Sequence, residues 1–236
     1  MPADVAILPV EDLARRFAGI VEREAALAIA QRDLFALAIP GGSAAKRLLP
    51  SLVSAPVDWG RTEVFWVDER MVPPDHGDSN YRIARTVWLG QVAIPQGQVH
   101  RVSGEAGSSA AAADYARLLR ERLGEPARLD LVVLGVGEDG HVASLFPGHA
   151  LLRAWDRDVA ALDDAPKPPP HRVTLTLRAL AGARRVVVFA SGASKAAVIG
   201  NALQDADSEL PVALATLGDA PVTFLLDPEA ASKLPR

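Results

Sequence analysis

From Leu129 to Leu134 the chain is apolar except at Asp130, and the run is closed by Gly135. Near-continuous apolar character over so short a stretch, with glycine at its end, predicts a strand buried on both faces of a parallel sheet. The pattern recurs. LFALAIP (Leu34 to Pro40) runs into GGSAAKRLLP, and ARRVVVFA runs into SGASKAAVIGNAL. Val64 to Val67 reads as another central strand, Val222 to Asp227 as a last one, and Val5 to Leu8 as a short first one. Between them, Leu13, Phe17, Ile20, Val21 and Leu27 recur at helical spacing from Val10 to about Arg32, and Ser108 to Leu123 is an alanine-rich helix closed near Gly124. Four or five buried strands alternating with helices predict an α/β fold: a three-layer, doubly wound, mostly parallel sheet around one continuous core.

Weaker signals fill the gaps. Ser43 is suited to cap a helix running to about Leu52, and Ser79 one running to about Leu89. Gln98 to Val102, Val159 to Leu162 and Val173 to Leu177 read as short strands, and residues 147–158 as a loop with one short helix. The prolines of PKPPPHRVTLTL exclude helix and suggest a surface crossing. Pro211 to Leu217 has no clear pattern. With no repeat and no convincing linker, residues 1–236 are expected to form a single domain.

Composition narrows the chemistry. A net charge of -4 argues against a nucleic-acid surface, so an anionic ligand must be met by a local cluster of cations. There are no cysteines, which removes disulfides, thiolate catalysis and thiolate metal sites. The five histidines make no HExxH and no i, i+4 helical pair, so no metal is expected. The N-terminal stretch carries acids rather than a basic region before a long apolar core, and no run approaches the ~20 residues of a membrane span. A cytoplasmic protein without membrane partners is the expectation.

Polar groups gather at the strand ends, where open α/β sheets build their sites. Asp139 and His141 lie among Gly135, Gly137 and Gly140. A histidine there can take a proton near neutral pH while a neighbouring carboxylate holds its ring. Gly135, Gly137 and Gly140 match a dinucleotide fingerprint in form, with Asp163 at the acidic position. However, Pro147 and Gly148 cut short the helix it needs, and Asp139 would oppose a pyrophosphate. No GxSxG elbow presents a serine, and Ser144 reads as a cap or packing residue. No cofactor is therefore expected. Gly41, Gly42 and Ser43 offer free backbone N–H groups to a phosphate, or form an ordinary turn. Asp68, Glu69 and Arg70 belong to a site or to salt bridges closing the sheet. Arg172 alone reads as a solvated strand-end cation. Lys195 stands in a first helical turn, where a cation is disfavoured unless it answers an anion or lies in solvent. His76 reads as a surface residue.

Three strings, VDERMVPPDHGDSNYRIA (Val67 to Ala84), LGVGEDGHVASLFPG (Leu134 to Gly148) and PKPPPHRVTLTL (Pro166 to Leu177), resemble those of the 6-phosphogluconolactonases in order and spacing. GGS before them and SGASKAAV after them extend the resemblance over nearly the whole chain. Val142 stands where that family commonly has Thr. The resemblance implies a Rossmann-like fold shared with the glucosamine-6-phosphate deaminases. It also implies hydrolysis of 6-phospho-D-glucono-1,5-lactone, a small-molecule phosphosugar lactone of the pentose phosphate pathway. Deaminases resemble the chain at Asp68, Asp139, His141, Arg172 and Lys195, but tend to have Tyr where Arg70 stands, and lack SLFPG and KPPP. From chemistry and resemblance together, His141 is expected to activate water, Asp139 to orient the imidazole or its water, and Asp68 to position sugar hydroxyls. Arg70 or a backbone N–H meets the developing oxyanion. Gly41, Gly42 and Ser43 hold the phosphate with Arg172 and Lys195, or with Arg70. A monomer or weak homodimer is expected. The alternatives are a deaminase-like phosphosugar enzyme and a non-catalytic sugar-phosphate sensor. The sensor has no use for adjacent Asp139 and His141, and the chain has no spare length for a helix-turn-helix.

Overall fold

The computed structural model describes residues 3–235. Its strands are β1 (Asp4–Ile7), β2 (Phe35–Ile39), β3 (Thr62–Trp66), β4 (Asp68–Arg70), β5 (Leu131–Gly135), β6 (Val159–Leu162), β7 (Arg172–Leu175), β8 (Val186–Ala190) and β9 (Val222–Leu226). Six of them form a sheet in the order β1-β9-β8-β5-β2-β3, parallel at every pairing. The others form a small antiparallel sheet, β4-β7-β6. The helices are α1 (Val10–Arg32), α2 (Gly42–Leu48), α3 (Asn80–Val87), α4 (Ser108–Leu123), α5 (Leu177–Ala181), α6 (Ala196–Gln204) and α7 (Pro211–Leu214).

Successive strand residues project to opposite faces, and β2 shows what that does to the core. Phe35, Leu37 and Ile39 pack with α1, α2 and α3, while Ala36 and Ala38 pack with α4 and the inner face of the small sheet. The expected single core is therefore two cores, one on each face of the large sheet. The three-layer, doubly wound arrangement is as expected, but with six parallel strands rather than four or five. Winding reverses between β2, which leads to β3 on one side, and β5 on its other side. Ligand crevices of open α/β sheets form at such a reversal.

β3 is an edge strand, not the central one its apolar sequence predicts, because its exposed edge is covered. His100 N–H donates to Val64 O (2.8 Å) beside a single bridge to Val99, which replaces the strand expected over Gln98 to Val102. The Tyr115 hydroxyl accepts from Trp66 N–H (2.7 Å) and donates to Trp66 O (3.1 Å). Side chains thus satisfy an edge that would otherwise invite another strand.

Several boundaries also move. Gly41, not Ser43, is the N-cap of α2, which yields to a 3-10 turn at Leu49–Leu52. Leu177 starts α5 instead of ending a strand, and Pro211–Leu214 is helical. Ser79 caps α3 through its side chain, as expected. No helix among the described residues is long and apolar enough to cross a membrane.

Candidate active site

The segment after β5 folds back on itself. Gly137 N–H donates to His141 O (2.8 Å), Gly140 N–H donates to Gly137 O (3.0 Å), and Val136 pairs with Val142. A Cβ at Gly137 would overlap the His141 ring and the Asp139 carboxylate, so glycine is required there by the pair it accommodates. Nδ1 of His141 lies 2.5 Å from Asp139 Oδ1, leaving Nε2 free. The ring packs at 4.8 Å on Phe146. Burial pushes the His141 imidazole below its usual value, opposed by its bond to Asp139, so the ring is neutral and basic at pH 7. Burial alone would raise Asp139, but its bond to His141 and then Lys167 at 3.1 Å hold it down at about 2.

This geometry disposes of the dinucleotide resemblance. The space beside Gly137 is filled by the His141 ring, and no helix follows Gly140. Among the described residues no three His, Asp or Glu side chains group as a metal site.

The small sheet forms the opposite wall. Its register sets Asp68 across from Thr174 and Arg70 across from Arg172. Asp68 is buried, with Oδ2 accepting from Ser144 Oγ (2.6 Å) and Oδ1 from Asn80 Nδ2 (3.2 Å). Ser144, also buried, caps no helix: its N–H donates to Thr174 Oγ1 (3.1 Å), tying the histidine segment to this wall. Arg172 is 3% exposed, which rules out a solvated cation. Its Nε donates to Pro169 O (3.0 Å), Nη2 to Lys167 O (2.8 Å) and Pro168 O (3.3 Å), and Nη1 to Ser144 Oγ (3.3 Å). Nη1 also lies 3.9 Å from Asp68 Oδ2, so at most one of its five N–H groups is left for the cleft. Arg70 is less committed. Nη1 donates to Asp78 O (2.7 Å), while Nε is buried without a partner. Two guanidiniums opposed across a ladder repel unless an anion lies between them.

The third side is the turn after β2. A Cβ on Gly41 would strike the Asn80 carboxamide, so Gly41 is glycine to seat Asn80 rather than to admit a ligand directly. Gly42 follows at φ 59, and the start of α2 has no side-chain cap. Lys195 faces it from the turn before α6, 3.9 Å from Glu138, and burial holds its ammonium below the usual lysine value.

Gly41, Gly42, Ser43, Asp68, Arg70, His141, Arg172 and Lys195 line one open cleft of about 230 Å³. Asp139 stands behind His141, outside that lining. Three residues, Asn80, Ala143 and Lys167, were not singled out by the sequence. Asn80 also lines the cleft and holds Asp68, its Nδ2 donating to Asp68 O at 2.9 Å. Buried Glu69 accepts N–H from Asn80 and Tyr81 (both 2.8 Å) at the start of α3, and burial raises its carboxyl. Ala143 lines the cleft at φ 50, a conformation that no alanine advertises. Lys167 sits in a proline run whose only legible message was an extended backbone. For Asn80 the available signal was its place next to the capping Ser79.

A family model described as Glucosamine-6-phosphate isomerases/6-phosphogluconolactonase matches residues 9–224. The chain is 41% identical over 233 residues to a human protein named 6-phosphogluconolactonase, covering 95% of this chain and 90% of that one. It is 38% identical over 242 residues to a rice protein named probable 6-phosphogluconolactonase 4, chloroplastic, covering 95% and 74%. The solved structure of 6-phosphogluconolactonase from Trypanosoma brucei superposes with a TM-score of 0.84 at 30% identity, covering 99% of each chain.

Proposed function

The chain belongs to the glucosamine-6-phosphate isomerase/6-phosphogluconolactonase family, and from that membership we infer that it hydrolyses 6-phospho-D-glucono-1,5-lactone to 6-phospho-D-gluconate. The observation that carries the reading at the level of residues is the facing of a neutral, carboxylate-held His141 and a set of cations across one cleft. That pairing suits a neutral electrophile on an anionic molecule.

With Nδ1 engaged by Asp139, Nε2 of His141 is the base that takes a proton from water. The hydroxide adds to the lactone carbonyl carbon, the ring C–O bond breaks, and the imidazolium returns its proton to the departing ring oxygen. Water and lactone are consumed in equal number, and the product is the open hydroxy acid. The phosphate is held by the Gly41, Gly42 and Ser43 turn with Lys195, and by the Arg172 and Arg70 guanidiniums that line the same cleft. Asp68, fixed by Ser144 and Asn80, presents its carboxylate to sugar hydroxyls. Binding the distant phosphate positions the carbonyl over His141, so remote binding energy serves the reacting centre. We assign the chain no nucleic-acid partner, a cytoplasmic place in sugar-phosphate metabolism, and a monomeric or weakly dimeric state. The net charge of -4 supports the first.

The test is hydrolysis of freshly generated 6-phosphogluconolactone above its spontaneous rate, by wild type and His141→Ala. Rapid turnover lost with His141, and weak turnover of unphosphorylated gluconolactone, support the reading. Turnover of glucosamine 6-phosphate instead would move the chain to the other branch of the family. Binding without turnover would leave a sensor.

A further inference from the structure

The proline segment between β6 and β7 does more than cross the surface. Arg172, buried at the start of β7, binds three consecutive carbonyls of that segment, those of Lys167, Pro168 and Pro169. A guanidinium spending three N–H groups on one short stretch of backbone fixes it as a strap. What the strap presents is Lys167, whose Nζ lies 3.1 Å from Asp139 Oδ2. The other oxygen of the same carboxylate, Oδ1, meets His141 Nδ1 at 2.5 Å. Neither Lys167 nor Asp139 lines the cleft, whereas His141 does. The groups therefore stand in series from outside to inside: Arg172 holds the strap, Lys167 holds one oxygen of Asp139, and the other oxygen holds the imidazole.

We propose that Lys167 is a positioning residue for the reaction, acting through Asp139 to set the orientation and basicity of His141. It touches neither substrate nor reacting atoms. A carboxylate held at both oxygens cannot rotate away from the ring, which keeps the proton on Nδ1 and the lone pair of Nε2 toward the cleft. The cation also draws charge from the carboxylate, so the imidazole is a weaker base than Asp139 alone would make it. The other charges facing His141 are Asp68 from β4, Glu138 with Lys195 on the near rim, and Arg70 and Arg172 across the cleft. Of all the charges around the ring, Asp139 and Asp68 raise its proton affinity and Lys167 lowers it. Lys167 is 45% exposed on its side chain, so salt weakens its hold.

This proposal rests on the lactonase reading only for its rate measurement. The first experiment is therefore an imidazole NMR titration of His141 in resting wild type, Lys167→Met and Lys167→Arg. In Lys167→Met the His141 pKa is expected to rise by several tenths to about one unit, and in Lys167→Arg to stay near wild type. The acid limb of kcat/KM for 6-phosphogluconolactone should move up with it, while KM changes less than about twofold because no phosphate contact is touched. Added salt should move wild type part of the way toward Lys167→Met. An unmoved or lowered His141 pKa in Lys167→Met would overturn the proposal, as would a uniformly slower rate with an unmoved pH profile, which marks a merely structural strap. If wild type hydrolyses no lactone, the functional reading fails while the titration still decides the role of Lys167.

Discussion

Two glycine turns follow neighbouring strands at the reversal point of the sheet, and they are put to opposite uses. The turn after β2 leaves the start of α2 without a side-chain cap, and cations stand around it. The turn after β5 is closed by its own backbone bonds and filled by its own side chains, Asp139 and His141. From sequence both are an apolar run ending in glycine. The difference is what occupies the space that a missing Cβ leaves: the Asn80 carboxamide at Gly41, the His141 ring at Gly137. One turn leaves its polar groups open to the cleft, and the other spends its own on one another.

Exchanging those occupants gives the largest expected effects. In Gly137→Ala the new methyl displaces the His141 ring. Turnover should fall by roughly the 10²–10⁴-fold that a general base contributes, with KM little changed. In Gly41→Ala the methyl pushes Asn80 from Asp68 and disturbs the phosphate side, so KM should rise by about tenfold or more while the His141 pH profile stays in place. Steady-state kinetics on freshly made 6-phosphogluconolactone, with thermal melts to confirm folding, separates the two. If both substitutions raised KM alone, the division of labour between the turns would collapse.

A sharper cut is Asp139→Asn. The amide cannot accept from Nδ1–H while keeping both of its bonds, so the ring loses its fixed tautomer and turnover should drop by about 10²-fold or more. The sign of the pH effect is set by the same contact. Asp139 raises the proton affinity of His141 against burial, so removing its charge lowers the pKa further. The residual activity of Asp139→Asn should thus persist to lower pH than that of wild type, opposite to the shift expected for Lys167→Met. Profiles of kcat/KM below about pH 6.5 measure it.

On the other turn, Lys195→Met should raise KM for the phosphorylated lactone by roughly 10–100-fold, the worth of one charge-assisted contact. The slow hydrolysis of unphosphorylated gluconolactone should be unchanged. Equal losses on both substrates would place Lys195 at the carbonyl instead.

The legibility of these features in the sequence follows from their physics. Strands buried on both faces announce themselves by apolar runs, and a histidine near a carboxylate among glycines is visible by residue type. Edge status is not visible, because Tyr115 and Val99 come from far along the chain to cover β3. A three-residue strand such as Asp68–Arg70 is too short to show alternation, so the second sheet could not be seen, and with it the opposition of Arg70 and Arg172. Arg172 read as solvated because nothing local tells that its donors are consumed by carbonyls a few residues upstream. Lys167 and Asn80 were missed for the same reason: each acts on a partner brought near only by tertiary folding.

The smallest expected effect tests how far the comparison extends to a third helix start. α3 begins with the opposite arrangement to α2, its first N–H groups already spent on protein acceptors: Asn80 and Tyr81 donate to the buried Glu69, and Arg82 N–H donates to Ser79 Oγ (3.2 Å). Ser79 Oγ in turn donates to Glu69 Oε2 (3.2 Å). In Ser79→Ala one N–H loses its cap and one carboxylate oxygen loses a donor, but Glu69 retains its backbone partners. The expected cost is about 1 kcal/mol, lowering Tm by a few degrees in a chain of this size. Because Asn80 is still anchored through its own N–H, Asp68 should stay in place and kcat and KM should remain within about twofold of wild type. A large kinetic loss with a normal melting temperature would mean that the cap of α3 belongs to the site itself. The contrast would then lie between a ligand-facing turn and two supporting ones, not between one and one.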